Sequence, residues 1–449
     1  MKLTFLGGTK SVTGAMYLIE TKDTKLIVDC GLYQGKRELR KLNFQDFGFD
    51  SKDLDYVLIT HSHMDHVGRL PKLFKSGFRG KIYATKPAVE LSHIFLQDSA
   101  HLQKEEAKEI GVEPLYDIED VNKCMNFCKG IEYHQEIKLS NTVKFIYRKA
   151  GHILGSAIIE IWADDTKLVF TGDLGNPPVP ILNPYDYIKD ADYVIIESAY
   201  GNRNHEPTQN RKEIIEDAIE DTIKSGGTLM IPAFAMERTQ EVLYEINDLI
   251  ENHRVPRIPI FMDSPLAIKA TEIFKRYEHY FNKETRGIIN SGDDIFNFPG
   301  LKITRTSQES KKINDTPAPK IIIAGSGMST GGRILFHEKL YLSDPKSMLF
   351  IVGYQVKGTL GRRLLDGENF VNILGKRVEV KAKIKACGAF SAHADQRKLL
   401  DWVKHIESPV KKVFVVQGEE DAAEALVSKI KNDLRLDAMA PELGYSIEL

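Results

Sequence analysis

Apolar and polar positions follow two rhythms along this chain. Up to about residue 204, short apolar runs end in turn residues: Leu3 to Leu6, Met16 to Ile19, Leu26 to Asp29, Tyr56 to Thr60. Glycines and Asn/Asp clusters separate them, a texture that predicts a hairpin-rich sheet. One stretch breaks this rhythm. From Pro87 onward, Ile94, Phe95 and Leu102 lie at helical spacing and predict a long amphipathic helix. Two further runs, Lys167 to Phe170 and Tyr193 to Ile196, read as strands. After Asn204, helical stretches (Arg211 to Ser225, Arg238 to Glu251) alternate with apolar runs (Thr228 to Ile231, Ile258 to Met262, Lys320 to Ala324). That alternation predicts a parallel-sheet α/β unit. Val378 to Cys387 returns to hairpin texture, and a helix, the strand Val413 to Val416, a last helix and a last strand close the chain. The class is α/β.

The strand ends carry the chemistry. Directly after Tyr56 to Thr60 comes His61-Ser62-His63-Met64-Asp65-His66. In an extended segment His61 and His63 point the same way. Asp65 and His66 then fall where the chain turns into a helix expected from Val67 to Phe74. Nitrogen and oxygen donors of this kind suit zinc, and a cluster this dense can serve two metals. His152 lies among the glycines of Ala150 to Ser156, Asp173 ends the Lys167 run, and Glu197 ends the Tyr193 run. Four strands thus deliver a His, Asp or Glu at their C-terminal ends, where active sites of layered α/β folds gather. Asp29 also stands at a strand end, and both capping a turn and orienting a metal ligand fit it. Gly325 to Gly332 has the composition of a phosphate-holding loop or of a plain strand-to-helix turn, and it lacks the Gly-Lys-Ser/Thr ending of a Walker A loop.

Composition narrows the picture. A chain of 449 residues can fill two or three domains. Lys+Arg at 61 against Asp+Glu at 63 leaves a net charge of −2, so any nucleic-acid surface must be local. The basic stretch from Lys376 to Lys385 is one candidate, and the solvated face of a strand accounts for it equally well. Cys124 and Cys128 have helical spacing, and four cysteines in all fit a reducing compartment. With no signal pattern and no apolar run long enough to span a bilayer, the expectation is a cytoplasmic protein without membrane partners.

With these residues in hand, the chain resembles a metallo-β-lactamase-fold nuclease of the β-CASP group, the family of the endonuclease subunit of eukaryotic pre-mRNA 3′-end cleavage and its bacterial and archaeal relatives. The His61 to His66 cluster marks only the broad hydrolase superfamily. More specific are Glu197 in Glu-Ser-Ala-Tyr-Gly, similar to the group's motif A, and His393 in Phe-Ser-Ala-His-Ala-Asp, similar to motif B. Asp98 to His101, Met262 to Ala267, Gly325 to Arg333 and the stretch from Gly353 to Arg362 are also family-like. The resemblance implies an αββα metallo-β-lactamase sandwich from residues 1–205 and 379–449, with an α/β β-CASP domain, 206–378, inserted as a cap over a cleft holding the active site.

It also implies roles. His61, His63 and His152 would hold one zinc, Asp65 and His66 a second, with Asp173 bridging. Water activated by the two Zn2+ ions would attack a phosphodiester, with Asp65 steering it. His393, oriented by Glu197, would protonate the leaving oxygen, and Ser326, Gly327 and Ser391 would grip flanking phosphates. The implied activity is a zinc-dependent endoribonuclease acting on single-stranded RNA in processing or decay, and a homodimer is compatible with the likeness. One position departs from the family: where RNA-processing members carry a histidine for the second zinc, this chain has Gln417, a weak ligand beside imidazole. Two alternatives follow: a non-catalytic RNA-binding scaffold, and a DNA nuclease of the same family. A small-molecule hydrolase fits poorly, because neither the inserted domain nor the Glu197/His393 pair serves such substrates.

Overall fold

Strands covered on one face alternate buried with half-exposed residues, as along Lys2–Gly7, whereas Thr166–Phe170 is buried at every position. The difference says which strands are sandwiched on both faces. These strands come from a computed structural model of the chain, which describes residues 1–110, 113–205 and 211–449. The chain forms two compact units, Met1–Asn204 with Ala392–Leu449, and His205–Ser391.

The first unit contains two seven-stranded sheets. One runs in the order Ser446–Glu448, Lys2–Gly7, Met16–Glu20, Lys25–Val28, Tyr56–Leu58, Lys81–Thr85, Cys128–Ile131. The other runs Ala438–Met439, Lys412–Val416, Tyr193–Glu197, Thr166–Phe170, Ala157–Ala163, Val143–Lys149, Glu136–Lys138. Phe5, Tyr17 and Leu26 from the first sheet and Phe145, Ile161, Phe170 and Phe414 from the second share one buried cluster, so the sheets pack face to face. Helices cover both outer faces. Val67, Leu70, Leu73 and Leu96 seal Ile27, Val57 and Ile82, while Leu399, Trp402, Leu426 and Val427 seal Val169, Val194 and Val413. Burying such side chains contributes roughly 1.5–3 kcal/mol each. This is the expected αββα sandwich.

Parallel pairing sets where the polar residues end up. Lys25–Val28 runs parallel to Tyr56–Leu58, and Thr166–Phe170, Tyr193–Glu197 and Lys412–Val416 run parallel to one another. The C-terminal ends in each sheet therefore share an edge, and Asp29, Thr60, Asp173, Glu197 and Gln417 stand there.

The second unit is a six-stranded parallel sheet in the order Leu301–Ile303, Ile260–Met262, Lys320–Ala324, Thr228–Pro232, Met348–Ile351, Lys383–Ala386. Here the structure departs from the expected boundaries. Lys383–Ala386 pairs with Met348–Ile351, so the second unit continues to Ser391 instead of ending at residue 378. The run's hairpin texture was misleading, because alternation reports a half-exposed strand but not its partner. The other expected boundary, residue 206, falls within 206–210, outside the described residues.

Two local expectations change as well. The helix expected over Val67 to Phe74 is two short helices, Met64–Val67 and Leu70–Lys75, the second opened by Pro71 in its first turn. Cys124 belongs to the helix Ile118–Met125, but Cys128 begins a strand, and all four cysteines are free thiols. The long helix expected from Pro87 is present as Lys86–Ile110.

Candidate metal centre

Three imidazoles and a carboxylate from three stretches of the first unit meet at one point. His61 Nε2 lies 3.1 Å from His63 Nδ1, and His152 Nε2 lies 3.1 Å from that same nitrogen. Asp173 Oδ2 is 3.3 Å from His61 Nε2 and 3.4 Å from His152 Nε2. A tetrahedral zinc with bonds of about 2.0–2.1 Å has ligand-to-ligand edges of about 3.3 Å. Four of the six pairs of donor atoms stand at 3.1–3.4 Å, and all four donors lie within 4.8 Å of one another.

The surrounding hydrogen bonds fix which nitrogens face inward. Thr60 Oγ1 donates to Asp29 Oδ2 at 2.8 Å, so it accepts from His61 Nδ1–H at 3.0 Å and leaves Nε2 bare. His152 Nδ1–H donates to the Ala392 carbonyl at 3.1 Å, with the same result. Burial lowers the pKa of His61, His63 and His152 below the ordinary histidine value, which keeps them neutral. Neutral lone pairs converging on a carboxylate oxygen make a cation site. The chain bends sharply to bring His152 in: Gly151 has φ +67°, and a Cβ there would stand 2.8 Å from the Tyr185 backbone nitrogen.

Asp65 and His66 sit one helical turn beyond, in Met64–Val67. His66 Nδ1–H donates to Asp29 Oδ2 at 2.7 Å, and its Nε2 is 3.4 Å from Asp173 Oδ1. Burial pushes the Asp65 carboxyl up; His66 opposes that shift and Asp173 adds to it. Among the described residues, the donor atoms close enough together to hold one ion are those of His61, His63, His152 and Asp173, and separately those of Asp173, Glu197 and His393. Asp65 and His66 belong to neither group.

The second group stands beside the first and shares Asp173 with it. His393 Nδ1 lies 3.3 Å from both Glu197 oxygens and 3.8 Å from Asp173 Oδ2. Glu197 is fully buried and is held by the backbone N–H groups of Leu174 at 2.7 Å and Ala199 at 3.3 Å. Burial works against a charged His393, yet Glu197 and Asp173 outweigh it and raise its pKa to about 9. The His393 and His152 rings lie 4.5 Å apart between centroids.

Comparison with known proteins places the chain in a family. Residues 12–215 match the Metallo-beta-lactamase superfamily, 239–364 the Beta-Casp domain, and 377–441 the Zn-dependent metallo-hydrolase RNA specificity domain. A ribonuclease of Thermus thermophilus is 38% identical over 95% of both chains. The chain belongs to the β-CASP ribonuclease family. It is a metal-dependent nuclease hydrolase on the metallo-β-lactamase fold. The RNase J-like protein of Methanocaldococcus jannaschii is 32% identical over 98% of each chain, and the transcription termination factor FttA of Methanosarcina mazei is 30% identical over 98% of this chain and 70% of its own length. A crystal structure of a protein of unknown function from Enterococcus faecalis, 14% identical with a TM-score of 0.58, shares the fold over 100% of this chain.

The remaining sequence-derived residues of this β-CASP nuclease divide. Gln417 is buried at the same centre, its amide nitrogen 2.8 Å from both His66 Nε2 and Asp173 Oδ1. Asp29 accepts from the Thr60 N–H and hydroxyl and is hydrogen-bonded to the His66 ring. Ser326, Gly327 and Ser391 belong to the second unit. The Ser326 hydroxyl accepts from the Thr330 and Gly331 N–H groups at 2.9 and 3.1 Å, so it ties its own loop. Gln355 donates to the Gly327 carbonyl at 2.9 Å, and Ser391 ends the unit after a short 3-10 turn. Sequence reasoning missed three groups at the centre: Thr60, the Ala392 carbonyl and Tyr17, whose hydroxyl donates to Gln417 Oε1 at 3.4 Å. Thr60 had a usable signal, a hydroxyl directly before a ligand histidine. Tyr17, in a strand far back along the chain, had none.

Proposed function

We propose that this chain is a zinc-dependent ribonuclease that hydrolyses phosphodiester bonds of single-stranded RNA in processing or decay. The observation that supports this most is the four-atom group of His61, His63, His152 and Asp173 standing next to the His393–Glu197 pair. The residue set fits one zinc by donor type and proximity, with orienting hydrogen bonds on His61 and His152. The chemistry that zinc supplies in such a site is Lewis acidity toward a phosphate oxygen and a lowered pKa for water.

The chain's own residues do the rest. Glu197 keeps the Nδ1 side of His393 occupied, so the transferable proton sits on Nε2, where a leaving 3′ oxygen can take it. Asp173 contributes to this charge from 3.8 Å away. Asp65, raised by burial, steers the attacking water. A second zinc would share Asp173 and add Asp65 and His66, and the fit there fails at Gln417. The relatives named as ribonucleases favour RNA over DNA. The free thiols and the lack, among the described residues, of a helix long and apolar enough to cross a membrane agree with the cytoplasmic location we propose.

The test is cleavage of end-labelled single-stranded RNA and a matched DNA by zinc-supplemented protein, beside Asp173→Ala. RNA cut into 5′-phosphate products, with the activity lost in the variant, is the expected result. Equal cutting of DNA would point to the DNA-nuclease alternative, and no cutting at all to a scaffold.

A further inference from the structure

The strand Lys412–Val416 hands its last backbone group to a residue in the left-handed region: Gln417 has φ +52°, and its N–H donates to the Gly8 carbonyl at 2.6 Å. Gly8 itself has φ +65°, and a Cβ there would stand 3.2 Å from Gln417 Cγ. The side chain is therefore pinned at its root as well as at its amide, and it is only 3% exposed.

The amide has one satisfied orientation. In the neutral tautomer that keeps Nδ1–H on Asp29, the form a metal ligand takes, His66 Nε2 presents a lone pair. Asp173 Oδ1 is an acceptor. Gln417 Nε2 lies 2.8 Å from each of them and gives one hydrogen to each. Its Oε1 faces the Tyr17 hydroxyl at 3.4 Å. Turning the amide over would place Oε1 at 2.8 Å from a carboxylate oxygen, with no proton between them. Asp173 is thus divided: Oδ2 faces His61 and His152, while Oδ1 faces the amide.

We infer that Gln417 closes the second metal position, its amide N–H groups taking the lone pairs of His66 and Asp173, so that the protein carries a single metal ion. A zinc at that position must approach both atoms to about 2.0–2.2 Å. The amide hydrogens already lie in those directions and offer positive charge there, with no ion required. A histidine at 417 would instead present a bare nitrogen to the same place. This inference rests on the zinc reading of the site and specifies its metal count.

The experiment counts zinc. Wild type, Gln417→His and Gln417→Ala are loaded with excess zinc, freed of loose metal, and measured for zinc per chain by elemental analysis, with circular dichroism on each sample. The expected result is one zinc per wild-type chain, and two per Gln417→His chain. Gln417→Ala, which removes both donors without adding a ligand, should take a second zinc that is lost on dilution. Two zincs in the wild type would overturn the inference alone. A folded Gln417→His protein that keeps one zinc would also overturn it, because the amide would then not be the obstacle. No zinc in the wild type would overturn this inference together with the zinc reading beneath it.

Discussion

Thr60 shows how much of a metal centre lies outside its ligands. Its hydroxyl donates to Asp29 and accepts from His61, and it stands 3.2 Å from His66 Nδ1. Thr60→Val keeps the shape and removes these bonds, so zinc affinity should fall about 10–100-fold. Competition against a chromophoric chelator measures this, and Thr60→Ser should restore it. In the proposed mechanism His393 carries a proton and does not bind the metal, so His393→Ala should lower kcat by about 10²–10⁴-fold with zinc content unchanged. A loss of zinc in that variant would reassign it as a ligand. At this scale the sequence exposed the donors, because imidazoles and carboxylates crowded after strands have few other uses. It did not expose Thr60, Tyr17 or the Ala392 carbonyl, whose work depends on which strands become neighbours.

Elements of the second unit are held by two buried acids of opposite character. Asp263 follows the strand Ile260–Met262 and accepts from Thr304, Ser310, Arg333 and His337 at 2.6–2.7 Å. Burial alone would raise its pKa, but these partners hold it at about 2. Asp263→Ala leaves Arg333 and His337 without their anion and should destabilise the unit by about 3–5 kcal/mol in urea unfolding. Glu338, in the helix Ile334–Tyr341, receives a hydrogen bond from Ser329 on one oxygen, and its other oxygen has no partner among the described residues. Burial raises it to about 8. The folded state therefore holds a proton that the unfolded chain releases near pH 4.5. Glu338's contribution is full below that value and is lost as pH rises through about 8, a change on the order of 5 kcal/mol. Glu338→Gln should flatten this dependence, so that thermal melts of wild type and variant differ more at pH 8.5 than at pH 6. Equal differences at both would contradict it. The Gly325 to Gly332 loop was legible as special but not in its purpose: composition marks a tight loop, and only the fold shows Ser326 bonded to its own neighbours.

For the whole molecule, the two rhythms of apolar residues gave the two architectures, because period and run length report how many faces of a strand are covered. They do not give strand partners, such as the pairing of Lys383–Ala386 with Met348–Ile351. The sheets gather a centre from residues as far apart as His61 and Gln417, and the nuclease reading rests on that gathering. Crystals of the zinc-loaded protein, measured for anomalous scattering at the zinc edge, test it most directly. One peak is predicted, bonded to His61 Nε2, His63 Nδ1, His152 Nε2 and Asp173 Oδ2. A peak elsewhere, or none among these four atoms, would contradict it.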